Sequence, residues 1–448
     1  MKKINYAFII VYMLILLIPA LTMPFFFNAQ NTENRKLAEF PKITKEDHIN
    51  ADFIDEFDDF INDRIGMRSI LVSLNTKLRT GVFRESTEDS VILGKKGWLF
   101  YSDTLPDYMG VATLSDRNIN NIANTLKIVN EELDNQDVDF VFVIIPNKNS
   151  IYPEYMPSYY IPSGGDNNRI LLQRAMDSKG VNYSDVYGAL KHNNEILYQQ
   201  TDSHWNYEGA LIGYNKIMKD SNHPYLEINN MEFETVRDWD GDLGTMLYSV
   251  DAKKDYQLYP KYEFTYEYTS HDKEPDSITL KTHGNMVEND NAIIYRDSFM
   301  NIGHKYFAEV FTDCVFSRAL PYKLDLVKDN DADFVLIEIV ERNIKNLATK
   351  APIMQAPIAD ASLDKAQISE DQYNLYIDEI KGYSHIYGDI DESLLGDDNN
   401  VYVYYTFKGN TQTKNLSMKK GDKETVYFDE EIANEIGNEN RNQNIKYY

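Results

Sequence analysis

The sequence predicts an α/β fold for the middle of this 448-residue chain: a parallel sheet flanked by helices. Phe140–Ile145 is an unbroken apolar run of strand length closed by Pro146, the pattern of a strand buried on both faces of a parallel sheet. Asn291–Tyr295, Cys314–Ser317 and Phe334–Val340 read as further strands. Helical periodicity separates them: Ile119, Ile122, Leu126, Val129 and Leu133 mark one helix, and others cover about Arg169–Lys179 and Tyr207–Lys219.

The elements follow in order. Met1-Lys2-Lys3 precedes a run without charge from Tyr6 to Phe27, long enough for a helix of about 20 residues to span a bilayer. The lysines put the N-terminus in the cytoplasm. A cleaved signal peptide is the alternative, but Pro19–Met23 is a poor cleavage site. The expectation is an uncleaved anchor over 1–27, with everything after Asn28 outside the cytoplasm. Residues 28–90 read as a spacer and a helical segment, in which Phe53, Phe57, Phe60 and Ile61 share a helix face. Gly94–Tyr101 reads as a turn feeding a short strand.

The α/β domain is expected over 91–350. A short strand starts at Val181, and Asn206 is placed to cap the helix that begins at Tyr207. Residues 225–290 break the rhythm and read as an insertion or lid of short strands, with alternation at Tyr262–Tyr268. Within it, Asp238–Asp242 resembles the start of a calcium loop. The Gly and Glu that such a loop needs at positions six and twelve are Leu243 and Ser249 here, so the segment reads as a turn with solvated acids. Residues 351–448 read as a small β-rich module with strands at Val401–Phe407 and Thr425–Phe428, and with a mobile end from Asn434.

Composition bounds the chemistry. The net charge of −26 argues against nucleic acid or anionic lipid as a partner, since both need clustered Lys and Arg. The single cysteine, Cys314, allows no internal disulfide and sits in a core-like strand. No Cys/His cluster has zinc spacing, and no cofactor is expected.

Two short motifs hold the side chains of a serine-hydrolase triad. Asp202-Ser203-His204-Trp205 supplies an acid and a base two residues apart, which an extended segment would project to one side. Asp297-Ser298-Phe299 supplies a nucleophile between a strand and a helix, the context that exposes a serine at the carboxyl end of a sheet. A D-x-H pair alone is also an ordinary surface hydrogen bond, and Ser298 alone is also an ordinary helix cap.

Several pieces in this order resemble the AlgJ/AlgX-type alginate-acetylation proteins, and most nearly the Gram-positive DHHW proteins. They are the anchor; Glu33-Asn34-Arg35 with Phe40-Pro41; Asp63-Arg64 with Arg68; Gly97-Trp98-Leu99-Phe100; Pro146-Asn147-Lys148 with Tyr152-Pro153; the Asp202–Trp205 motif; Gly241-Asp242-Leu243; Asp297-Ser298-Phe299; and Glu338 with Glu341-Arg342-Asn343. The resemblance implies an SGNH-hydrolase-like α/β domain with Ser298 as nucleophile, His204 as base and Asp202 as orienting acid. It implies acetyl transfer to an exopolysaccharide or cell-wall polysaccharide outside the cytoplasm, with a multi-spanning membrane O-acyltransferase delivering the acetyl group. Ser203 replaces the first His of the DHHW name, and Arg296 stands where many such motifs carry Gly, which bears on the oxyanion hole. Asn147, Arg342 and Asn343 are candidates to line that edge. Residue chemistry leaves three functions open: acetyl transfer, carbohydrate deacetylation through the same triad, and non-catalytic carbohydrate binding by an anchored scaffold.

Overall fold

The computed structural model describes residues 38–45, 48–64, 68–249 and 251–353, with scattered residues between 6 and 22 and the strands between 373 and 447. Among the described residues no helix is long and apolar enough to cross a membrane. The anchor expected over 1–27 lies largely outside the described residues, as does most of the tail from Asn434.

The chain divides into two compact units, each discontinuous in sequence. The first comprises Met1–Ser102, Gln200–Ser203 and Arg237–Tyr256; the second comprises Asp103–Gln199, His204–Val236 and Gln257–Tyr448.

The second unit holds the α/β sheet, built from α1 (Asp116–Asp134), β1 (Asp139–Ile145), α2 (Asn168–Lys179), β2 (Tyr183–Ser184), α3 (Val186–Lys191), α4 (Tyr207–Asp220), β3 (Glu267–Tyr268), β4 (Thr279–His283), β5 (Asn291–Tyr295), α5 (Met300–Val310), β6 (Asp313–Ser317) and β7 (Phe334–Val340). The strand order is β2-β1-β7-β5-β6-β4-β3. β2 through β6 run parallel, whereas β4 and β3 join antiparallel at one edge. The fold is thus α/β with a mostly parallel sheet. Of the stretch 225–290, β3 and β4 extend this sheet. Strand character at Tyr262–Tyr268 is confined to Glu267–Tyr268.

The apolar runs become strands because helices cover both faces. All seven residues of β7 are buried, and six of the seven in β1. Phe140, Phe142, Ile144, Val335, Ile337 and Ile339 meet Ile122, Leu126 and Val129 of α1 and Leu172 and Met176 of α2 in one core. α3 and α4 touch β1, and α4 packs on α5 through Tyr214 and Phe307, ring centroids 4.9 Å apart. Caps set the helix starts: Ser115 Oγ accepts from Asn118 N (3.3 Å), and Asn206 Oδ1 accepts from Gly209 N (2.8 Å) as its side chain predicts.

In the first unit a hairpin of Val91–Leu93 and Leu99–Tyr101 packs Val91 and Leu99 on Leu243 and Leu247 of helix Asp242–Leu247. Beyond residue 370, Tyr373–Ile380, Tyr383–Asp391 and Thr425–Ala433 pair antiparallel, as do Val401–Phe407 and Asn410–Leu416.

One polar cluster closes the amino end of the sheet. His223 is buried between Phe311 and Phe334, with Nδ1 2.7 Å from Asp139 and Nε2 3.1 Å from Asp290. Burial pulls its pKa down, but the hydrogen bonds and charges of Asp290 and Asp139 outweigh it and leave the net value raised. A raised folded-state pKa gives stability that is complete below the unfolded value of about 6.5 and is lost as pH rises through the folded value. His223→Gln is therefore expected to lower stability by roughly 1–3 kcal/mol at about pH 6 and by less at pH 8, checked by urea unfolding. An equal loss at both values would show that the imidazolium is not what matters.

Candidate active site

β5 ends at Tyr295, and the chain turns through Arg296–Phe299 into α5 at the carboxyl edge of the sheet, where open α/β sheets bind ligands. Ser298 Oγ lies 2.9 Å from His204 Nε2, a hydrogen bond that joins the two sequence-predicted residues within the second unit. Both are only partly buried. The His204 ring packs on Phe299 with centroids 4.9 Å apart.

Trp205 fixes this pair. It is 1 % exposed, and its Nε1 donates to the Phe299 carbonyl (2.8 Å), tying the residue after His204 to the residue after Ser298. α4 makes room for the indole at Gly213, where an added Cβ would lie 2.8 Å from the ring. Tyr198 pairs with Trp205 as an isolated antiparallel bridge, Gln199 N donates to the His204 carbonyl (3.2 Å) and Asn206 N donates to the Leu197 carbonyl (2.8 Å). Residues 201–204 themselves form a bend, not the extended segment expected from the D-x-H spacing. The reason lies in hydrogen bonding: backbone groups on either side of the bend pair with each other, which reverses the chain.

Asp202 belongs to the first unit and is buried there. Its Oδ2 accepts from Trp239 Nε1 (2.9 Å) and from Asp242 N (3.2 Å). Asp242 in turn accepts from Ser203 N (2.7 Å) and from the Ser203 hydroxyl. Of the acids expected to be solvated in Asp238–Asp242, Asp238 and Asp240 are exposed, whereas Asp242 is not free in solvent: with Trp239 it holds the Asp202–Ser203 segment. Ser203 points to Asp242, so the absent first His of the DHHW name is replaced by a structural hydroxyl. Gly241 is required by close approach, because a Cβ there would lie 2.5 Å from the Thr201 carbonyl.

The nucleophile turn rests on buried acids. Asp297 N donates to Glu338 Oε2 (2.9 Å). The Asp297 carboxylate accepts from Phe299 N (3.0 Å), Val340 N (2.7 Å) and Asn343 Nδ2 (3.2 Å). Glu338 is fully buried in β7; burial, and then the charge of Asp297, holds its carboxyl well above the usual range. Arg296 is buried too, and burial draws its pKa down to about 10. Its guanidinium donates to the carbonyls of Pro275 (2.6 Å) and Ser277 (3.0 Å) and to the Asn301 side chain, so it straps residues 275–277 to the turn.

The remaining candidates separate. Arg342 lies over the Phe299 ring (5.5 Å) and Asn343 supports Asp297, so both reach the nucleophile turn. Asn147 follows β1, with β7 between β1 and the strand that leads to Ser298. Its N–H is committed to Glu341 (2.9 Å) and its Nδ2 faces Asp107 (3.5 Å). Glu341 also accepts from Ser150 Oγ and Asn167 Nδ2, each at 2.6 Å. Sequence reasoning missed Trp239, Asp242 and Glu338 as supports. The signals were present: a lone acid inside an apolar strand for Glu338, and Gly241-Asp242-Leu243 among the ordered family pieces.

Glu338 yields a pH prediction. Between the unfolded value of about 4.3 and its raised folded value, the folded state holds a proton that the unfolded state releases, so its contribution weakens stability as pH rises. Glu338→Gln keeps an oxygen acceptor for Asp297 N and stays neutral. It is expected to gain on the parent chain as pH rises from about 5 to 8 in urea unfolding. Parallel stability–pH curves would contradict a protonated Glu338.

Residues 91–285 match the family described as SGNH hydrolase-like domain, acetyltransferase AlgX. A curated relative, the probable alginate O-acetylase AlgJ of Pseudomonas aeruginosa, is 30% identical over 123 residues, which is 27% of this chain and 30% of that protein. Similar solved structures include a DHHW family protein from Eubacterium siraeum (TM-score 0.41, 20% identity, 57% of this chain and 94% of that one). Bacillus cereus PatB1 is similar as well (TM-score 0.45, 20% identity, 56% of this chain and 95% of that one). Residues 91–285 are thus similar to the SGNH hydrolase-like domain of the AlgJ/AlgX-type proteins, and the match to AlgJ spans about a third of that protein's length.

Proposed function

We propose that this chain is a membrane-anchored, extracytoplasmic O-acetyltransferase that moves acetyl groups onto hydroxyls of an exopolysaccharide or cell-wall polysaccharide. The observation that carries the reading is the 2.9 Å hydrogen bond between His204 Nε2 and Ser298 Oγ, in a domain of AlgX type. His204 Nε2 takes the Ser298 proton as Oγ attacks the acetyl carbonyl, and the leaving group departs with that proton. The acyl-serine is then attacked by a sugar hydroxyl, whose proton passes to His204 and back to Ser298 Oγ. Asp202 is assigned as the acid that orients the imidazole, on the D-x-H spacing and the family resemblance. The Ser298 N–H is assigned as an oxyanion donor, with Arg342 at the same turn.

The acetyl group is proposed to arrive from a multi-spanning membrane O-acyltransferase, with residues 1–27 holding the chain at the same bilayer. A polysaccharide is the acceptor; nucleic acid is not a partner of so acidic a chain.

The full-length protein is expected to release acetate from an activated acetyl ester. Ser298→Ala should lower the rate on the order of 10³-fold or more, and Asp202→Asn by a comparable factor without unfolding. An added oligosaccharide should gain acetyl mass in a Ser298-dependent way. Acetate release with no acetylated sugar would instead make the protein an acetylesterase. Sugar binding without turnover would make it a scaffold.

A further inference from the structure

One helix of the first unit has its sidedness reversed. Helix Arg68–Leu78 continues through the wider turn Arg79–Phe83. A helix on a globular body turns its apolar stripe inward. Here the buried side chain is polar: Thr76 is buried with its Oγ1 3.2 Å from that of Thr87, while Ser73 Oγ makes an exposed hydrogen bond to Asp251 (3.0 Å), which also pairs with Lys77. Apart from half-buried Val72, the large apolar side chains point outward. Ile70, Leu71, Leu74, Leu78, Val82 and Phe83 are 42% to 67% exposed. Positions 71, 74, 78 and 82 follow the three-and-four spacing of a single helical face. Contiguous apolar exposure of this kind marks an interaction site.

Charge indicates the occupant. About one residue in six of this chain is acidic, yet 68–84 holds none and carries Arg68, Lys77, Arg79 and Arg84, of which Lys77 pairs with Asp251 and Arg79 with Glu85 just past the segment. A basic helix with an exposed apolar face suits the headgroup region of an anionic bilayer. The net charge of −26 opposes such contact only weakly, since charges beyond a Debye length of about 8 Å are screened. The helix also begins 40 residues after the apolar run that ends at Phe27.

We propose that the outward face of residues 70–83 lies in the interfacial zone of an anionic lipid bilayer and holds the first unit against the membrane. The proposal rests on the membrane placement of residues 1–27 given above, but it is read out separately.

The test uses the full-length chain in vesicles of phosphatidylcholine and phosphatidylglycerol, with an environment-sensitive dye on Leu74→Cys or, separately, on Leu78→Cys. Cys314 is buried and does not compete for the label. Asn194→Cys, at an exposed loop of the second unit, is the control. Dye at position 74 or 78 is expected to be quenched several-fold more by headgroup-proximal spin-labelled lipid than dye at 194, and to be shielded from aqueous iodide. Quenching should fall in vesicles of phosphatidylcholine alone. Equal iodide access at 74, 78 and 194 would overturn the proposal. So would shielding that persists in detergent and grows with protein concentration, which would assign the face to a second copy of the chain. Retention of protein on vesicles after an alkaline wash reports on residues 1–27 independently; its loss would sink the anchor while quenching before the wash still decides the helix.

Discussion

The distance between His204 and Ser298 depends on one buried hydrogen bond, from the Trp205 indole to the Phe299 carbonyl. His204 and Ser298 lie 94 residues apart, on segments that share no strand pairing. Trp205 directly follows His204 and Phe299 directly follows Ser298, so locking one pair locks the other. The lock is stiff because the indole is enclosed: Gly213 admits it on α4, and Phe299 packs on it edge to face. Such a bond adds only about 0.5–1.5 kcal/mol to stability, but leaving the buried carbonyl unpaired costs about 1–3 kcal/mol. Its main effect is positional, since a misplacement of about 1 Å at reacting atoms is enough to lose a hundredfold in rate.

A second constraint sets the nucleophile turn from below. Asp297 uses both carboxylate oxygens to bind backbone N–H groups on its own turn and at the end of β7, while its own N–H is held by Glu338. Burial, and then the neighbouring charge of Asp297, raises the Glu338 carboxyl well above its usual range. Glu338 accepts from Asp297 N, and the Asp297 carboxylate takes three donors: Phe299 N, Val340 N and Asn343 Nδ2.

Much of this was legible in the sequence where physics is local. Phe140–Ile145 and Phe334–Val340 announced buried parallel strands, and Asn206 announced a helix start; Ser298 lies at the strand–helix junction as expected, half-buried rather than exposed. What was not legible depends on contacts between segments distant in sequence. The hold on Asp202 comes from Trp239 and Asp242, 37 and 40 residues on, in a stretch whose acids read as solvated. Two compact units that each take several separate segments leave no compositional boundary to read. The bend at 201–204 likewise follows from pairing on either side of it, not from the propensity of its residues.

The central claim is that Ser298 Oγ carries the acetyl group between donor and acceptor. Its most direct test is rapid quenching of the full-length protein with an activated acetyl ester, followed by intact mass and peptide mapping. The account predicts one acetyl group per chain, located on the peptide that contains Ser298, absent in His204→Ala and removed when oligosaccharide is added. An acetyl group on another residue, or labelling at Ser298 that survives the loss of His204 unchanged, would contradict it.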